Sequence, residues 1–217
     1  MAFIQSVPYV EDLWKWTRWH LAGTMTATGN ALNGITSIGT RAFSTRTSLT
    51  SIILPNNITS IGLSAFTDCT SLTISELPSA LKSIGQYAFQ GIKELSITEF
   101  PSGLTSLGGQ VFSKITNLNI TTLPSGITVI PQDCCWASTG LKEITIPAGV
   151  VTVSASSFNS CTDLTKVTFK GTPTAIDSTA FKNDTAITDI YVPWASGVVA
   201  NAPWGATNAT IHYNSTV

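Results

Sequence analysis

TSIGTRAF occupies residues 36–43, TSIGLSAF residues 59–66 and KSIGQYAF residues 82–89. The closing aromatic serves as a marker. It recurs at Phe43, Phe66, Phe89, Phe112, Phe158 and Phe181, with Cys135 in the same phase, and the spacing from Phe43 to Phe66 holds without insertion throughout. A fixed period between ~20 and ~50 residues marks a solenoid, whose units bury their apolar sides against one another. Other positions keep the same phase. Five before the marker stand Ile38, Ile61, Ile84, Leu107, Ile130, Val153 and Ile176. Six after it stand Leu49, Leu72, Leu95, Leu118, Leu141, Leu164 and Ile187. Twelve after it stand Pro55, Pro78, Pro101, Pro124 and Pro147, then Lys170, then Pro193.

Each unit carries two apolar clusters. The first, Ile-x-x-Ile-Gly-x-x-Ala-Phe, has helical spacing over about two turns, which predicts a short helix or 3₁₀ turn. Gly39, Gly62, Gly85 and Gly108 follow its second aliphatic residue, where glycine permits a tight backbone or close approach between coils. The second cluster is short, β-branched and Thr-rich, as in LTSIILP at 49–55 and LSITEFP at 95–101. It reads as a strand ended by proline, which cannot donate to a ladder. The predicted fold is therefore an α/β repeat. Seven coils of equal length stack a parallel sheet of short strands on one side and short helical or 3₁₀ turns on the other.

The strands are not all in one register. Counted from the marker, inner aliphatics fall at +6, +9 and +11 in units one, five, six and seven, as in Leu49, Ile52 and Leu54. In units two to four they fall at +6, +8 and +11, as in Leu72, Ile74 and Leu77. A shift by a single position reverses which side chains face inward. Strand geometry is expected to change between units one and two, and again between four and five.

The pattern L-x-x-I-x-x-I-G-x-x-A-F…C-x-x-L…P resembles the Treponema-type, or BspA-like, leucine-rich repeat over residues 35–193. Pro131 in place of Gly, Cys134–Cys135 in place of Ala-Phe and Lys170 in place of Pro are the local departures. The resemblance implies a surface or secreted adhesin, of gut-bacterial origin, or a bacteriophage structural protein. It implies no enzymatic activity in the repeats.

Two segments lie outside the array. Residues 1–34 hold Trp14, Trp16 and Trp19 and a polar connector. They read either as an N-terminal cap or as a docking and oligomerisation segment, because Trp is enriched where surfaces associate. They do not read as a signal peptide, since Glu11–Asp12 interrupt the apolar run. Residues 194–217 read as a C-terminal cap, with Trp194 and Trp204 covering the last coil, a helical turn or two over Ala195–Ala202 and a last strand at Thr210–Tyr213.

Composition narrows the function. Apolar residues make up 43% of the 217 and charged residues only 11%, with a net charge of −1. Neither nucleic acid nor an anionic membrane surface is a natural partner for such a chain. No apolar run approaches the ~20 residues of a membrane span. The two histidines, His20 and His212, lie on opposite sides of the array, so no Ser-His-Asp or Cys-His constellation runs through the coils. Cys69, Cys134, Cys135 and Cys161 fall in core columns and lack metal-ligand spacing. No cofactor, metal or catalytic residue is expected.

A non-enzymatic recognition or adhesion module remains, at a cell surface or on a phage particle, with a protein or glycan surface as partner. Candidate contact residues are Thr98, Thr121, Thr145, Thr168 and Tyr191 on the sheet face, with Trp14, Trp16 and Trp19 for docking or homo-oligomerisation. An ice-binding solenoid is the minor alternative, since threonine ladders order water.

Overall fold

The computed structural model of the protein describes residues 26–27 and 35–215. The stretch that defines the repeat decides how coils join. In and just after TSIGTRAF the N–H groups of Arg41, Phe43 and Thr45 donate to the carbonyls of Leu63, Ala65 and Thr67 on the next coil, at 2.8, 2.8 and 2.7 Å. The intervening N–H groups of Ala42, Ser44 and Arg46 turn back within the coil to Gly39, Arg41 and Phe43, at 3.3, 3.2 and 3.2 Å. An α-helix or 3₁₀ helix uses all its N–H groups locally. Here every second one leaves for the neighbour, so the backbone must alternate. It does so through left-handed residues two before the marker, as at Arg41 (φ 56°) and Ser64 (φ 53°), and two after it, as at Thr45 (φ 60°) and Asp68 (φ 57°). Placing a non-glycine residue there costs roughly 1–2 kcal/mol, offset by the ladder between coils. The expected helical or 3₁₀ side is thus corrected. The described residues contain no helix, and a column of hydrogen-bonded turns stands in its place.

Two lines of short parallel strands complete each coil. One line comprises β2 (Ser37–Ile38), β4 (Ser60–Ile61), β6 (Ser83–Ile84), β8 (Ser106–Leu107), β10 (Val129–Ile130), β12 (Thr152–Val153) and β14 (Ala175–Ile176). The other comprises β1 (Thr26–Ala27), β3 (Ser51–Ile52), β5 (Thr73–Ile74), β7 (Glu94–Ser96), β9 (Asn117–Asn119), β11 (Glu143–Ile146), β13 (Lys166–Phe169), β15 (Asp189–Tyr191) and β16 (Thr210–His212). Among the described residues, seven strands in one line and nine in the other make about eight turns, not seven coils. Strands outside the repeated units extend the second line at both ends. β1 pairs with β3 ahead of residue 35, and β16 pairs with β15.

Both lines break between units four and five. The first becomes two sheets, β2-β4-β6-β8 and β10-β12-β14. Elsewhere the residue four before the marker closes this ladder, as Gly108 N–H to Ile84 O at 2.8 Å and Ser154 N–H to Ile130 O at 3.0 Å. Unit five has Pro131 there, which has no N–H to give. The second line splits into β1-β3-β5-β7-β9 and β11-β13-β15-β16 for a different reason. Its steps from Ser51 to Thr73 and from Thr73 to Glu94 each fall short of the full repeat, so the ladder drifts toward the marker. Beyond unit four it returns to phase through a single bridge, Thr122 to Thr145. Inward residues follow the expected change. Ile74, Ile97 and Ile120 are buried at +8 in units two to four, whereas Ile144, Val167 and Ile190 are buried at +9 in units five to seven.

The interior is one continuous column. Phe43, Phe66, Phe89 and Phe112 stack nearly parallel, with ring centroids 5.1, 5.6 and 6.3 Å apart. Cys135 interrupts the stack, which resumes with Phe158 and Phe181 at 5.2 Å. Glycine before the turns permits this spacing, since a methyl group on Gly85 would sit 2.7 Å from the Gly62 carbonyl carbon. Three positions after the marker, side chains reach the marker carbonyl of the previous coil. Cys69 Sγ donates to Phe43 O (2.9 Å), Ser138 Oγ to Phe112 O (2.6 Å) and Cys161 Sγ to Cys135 O (3.0 Å). All four cysteines are buried and free. Burial pushes the Cys69 thiol up to about 11, which keeps it protonated and unreactive at neutral pH.

At the C-terminal end Trp194 and Trp204 are buried against Phe169, with centroids at 5.3 and 6.0 Å. Residues 195–202 form turns, not the helical turn expected from sequence.

Candidate functional site

Strand alternation puts residues 143 and 145 of β11 on the same outward face as 166 and 168 of β13 and 189 and 191 of β15. Pairing aligns them into two rows. Glu143, Lys166, Asp189 and Thr210 form one row, and Thr145, Thr168, Tyr191 and His212 the other. Thr122 joins the second row through its bridge to Thr145, and its hydroxyl donates to Leu123 O at 3.2 Å. Among the described residues, the sheet-face ladder between units four and five is held at this point by two backbone bonds. Thr145 N–H donates to Thr121 O (2.8 Å), and Leu123 N–H donates to Thr145 O (3.2 Å). The surface opens there into a groove of about 370 Å³ lined by Thr121, Thr122, Glu143, Thr145, Lys166, Thr168 and Lys170, with Ile144 beneath.

Beside the groove, the last two strands lock an aromatic pair. Tyr191 and His212 stack at 4.4 Å with planes 11° apart. The Lys166 ammonium lies over the other face of Tyr191, 5.5 Å from its centroid. A cation above a ring is drawn by the ring quadrupole, by ~0.5–1 kcal/mol at an exposed site. His212 Nε2 lies 2.7 Å from Asp189 Oδ1, and the Thr188 hydroxyl donates to Asp189 Oδ2 at 2.7 Å. Those hydrogen bonds, from His212 first and Thr188 second, hold the Asp189 carboxyl below its ordinary range. The Thr188 hydroxyl is turned to the carboxylate, and among the described residues no hydroxyl or thiol hydrogen-bonds the imidazole. The pair therefore ties β16 to β15.

The structure gathers some of the sequence-predicted face residues and scatters others. Thr145, Thr168 and Tyr191 are neighbours in one row. Thr121 lines the groove but lies one position off that row, where Thr122 stands. Thr98 is exposed and lies beyond the end of β7, outside both row and groove, because units two to four carry the shifted register. Trp14, Trp16 and Trp19 lie outside the described residues. Sequence reading missed Thr122, Glu143, Lys166, Asp189 and His212 as face residues. The repeat period places Glu143, Lys166 and Asp189 in one column, and this charge column was the available signal. His212 carried none, since its spacing from Tyr191 is shorter than the repeat.

The family model of the BspA type leucine-rich repeat region matches residues 28–136 and 132–199 in six copies. Among solved structures, a leucine-rich cell surface protein from Faecalibacterium prausnitzii is 26% identical with a TM-score of 0.65. The match covers 77% of this chain and 46% of that one, so the chain spans about half the length of that relative. The leucine-rich repeat protein of T. pallidum is 26% identical with a TM-score of 0.56, over 67% of this chain and 72% of its own. Comparison with curated protein sequences gives no match.

Proposed function

The chain belongs to the BspA-type leucine-rich repeat family, and from that premise we propose that it is a non-enzymatic recognition module displayed at a surface. Its binding face is the outward side of β11, β13, β15 and β16. The observation that carries this reading is the in-register row Thr145–Thr168–Tyr191–His212 beside an open polar groove. Repeat stacking fixes the row rigidly, and solenoids use such extended faces for binding. Display at a surface draws on the F. prausnitzii relative, which is described as a cell surface protein. Both solved relatives are bacterial, and mounting on a virion draws no support from them. The segment with Trp14, Trp16 and Trp19 is the proposed means of attachment, by docking or self-association.

The test is capture. The immobilised chain is exposed to a glycan array and to a panel of extracellular-matrix proteins. Tyr191→Ala combined with Thr145→Lys should abolish whatever the native chain retains. Ser83→Lys combined with Ser106→Lys, on the other strand line, should leave capture intact. The reverse outcome moves the binding face to the other line and overturns the proposal.

A further inference from the structure

We propose that the groove between coils four and five is a subsite for a carboxylate-bearing sugar, with Lys166 as its carboxylate anchor; this rests on the reading of the face as a recognition surface. The groove has the dimensions of a small-ligand site. At about 370 Å³ it lies at the low end of the ~300–1,000 Å³ typical of ligand pockets, which suits one or two sugar units. Its wall mixes hydroxyl and charged groups with the methyl groups and aliphatic stems of the same threonines and lysines. Among the described residues Ile144 is the one apolar lining residue, and it is buried toward the core, so the groups that reach the ligand come from polar side chains.

Charge selects further. Lys166 aligns between Glu143 and Asp189 on adjacent strands. Asp189 is already engaged by His212 and the Thr188 hydroxyl. The Lys166 ammonium is positioned by the Tyr191 ring at 5.5 Å, and among the described residues it makes no ion pair. Beside the hydrogen bonds from His212 and Thr188, its charge helps to hold the Asp189 carboxyl low, but with no ion pair within 4 Å its ammonium is suited to a carboxylate as a point charge. Glu143, exposed on the same wall, supplies acceptors only. It suits the hydroxyls of a sugar ring. Thr145 and the 7%-exposed Thr168 add hydroxyls that donate or accept between the two charges. Two lysines, Lys166 and Lys170, a carboxylate and hydroxyls in one groove match a ligand that carries an acid group and several hydroxyls.

The experiment is an amide-resolved NMR titration of the full chain. The carboxylate probes are methyl β-D-glucuronide and 3′-sialyllactose, and the neutral ones are methyl β-D-glucoside and lactose. Shifts should concentrate at Thr145, Lys166 and Thr168, with at least one carboxylate probe binding about tenfold or more tightly than its neutral partner, as for a charge-assisted hydrogen bond. Lys166→Met should remove that preference, and Lys166→Arg should retain it. Both variants lie at a half-buried surface position and should stay folded, as their circular dichroism checks. Equal binding of acidic and neutral probes, or a preference that survives Lys166→Met, overturns the acidic assignment. N-acetyl-Glu-Glu binding as tightly as the carboxylate sugars overturns its sugar part. No shifts with any sugar probe overturns the subsite, while the recognition face stands or falls by the capture test above.

Discussion

Asp184 offers the sharpest test of how the coils are joined. It occupies the column that holds Cys69, Ser138 and Cys161, three positions after the marker, and is 1% exposed. Its Oδ1 accepts from Cys161 N–H at 2.6 Å, while Oδ2 is buried with no partner. In the equivalent coils a thiol or hydroxyl donates to the preceding marker carbonyl, so the equivalent acceptor here is Phe158 O. A protonated carboxyl is able to make that bond, and a carboxylate is not. Burial raises the Asp184 pKa from its ordinary 3.8 to about 8, against smaller lowering by hydrogen bonds from Cys161 and Ser160. The native state thus holds a proton that the unfolded chain releases above pH ~4. Native protons exceed unfolded protons between pH 4 and 8, and stability falls as pH rises through that window. Each pH unit removes about 1.4 kcal/mol, so the whole window removes on the order of 5 kcal/mol. Asp184→Asn keeps the acceptor for Cys161 and supplies a permanent donor in place of the acidic proton. Urea unfolding of both proteins from pH 4 to pH 9 isolates the group. The difference should be small at pH 4 and grow to roughly 3–5 kcal/mol in favour of Asp184→Asn near pH 8. Parallel curves, or a variant no more stable than wild type at pH 8, would falsify the buried-proton account.

The other predictions concern packing and attachment. Phe89 is fully buried between Phe66 and Phe112, with ring centroids at 5.6 and 6.3 Å. Phe89→Ala should cost ~3–5 kcal/mol in denaturant unfolding, and a loss below ~1 kcal/mol contradicts the continuous aromatic column. Gly108→Ala drives a methyl group into the backbone of Gln86 and Gly85. It should cost ~1–3 kcal/mol and lower the midpoint without changing the signature of the folded sheet in circular dichroism. A neutral result shows that the coils have slack to separate. Replacing Trp14, Trp16 and Trp19 by Ser should leave the repeats folded. It should also abolish assembly in light scattering, because three indoles carry roughly 450–750 Å² of surface. A native chain that stays monomeric at high concentration refutes that role.

The repeat period, the phenylalanine column and the change of register between units were all legible in the sequence. These features depend on spacing alone, and a solenoid copies spacing into stacking. Ile74 at +8 against Ile144 at +9 is visible in the letters, and burial follows it. The turn side was not legible. Ile-x-x-Ile-Gly-x-x-Ala-Phe has the spacing of a helix, but the N–H groups of Arg41, Phe43 and Thr45 bond to the next coil. A contact nearly a full repeat away in sequence outweighs a local preference. The binding face lay between these cases. Thr145, Thr168 and Tyr191 share a column and were found together. Replacement of Thr121 by Thr122 and addition of His212 required the pairing itself, because the ladder re-enters phase at one bridge and its last step departs from the repeat period. Sequence spacing determined which residues stack in the core. Hydrogen bonding between coils decided the path of the backbone, and with it which polar groups meet at the surface.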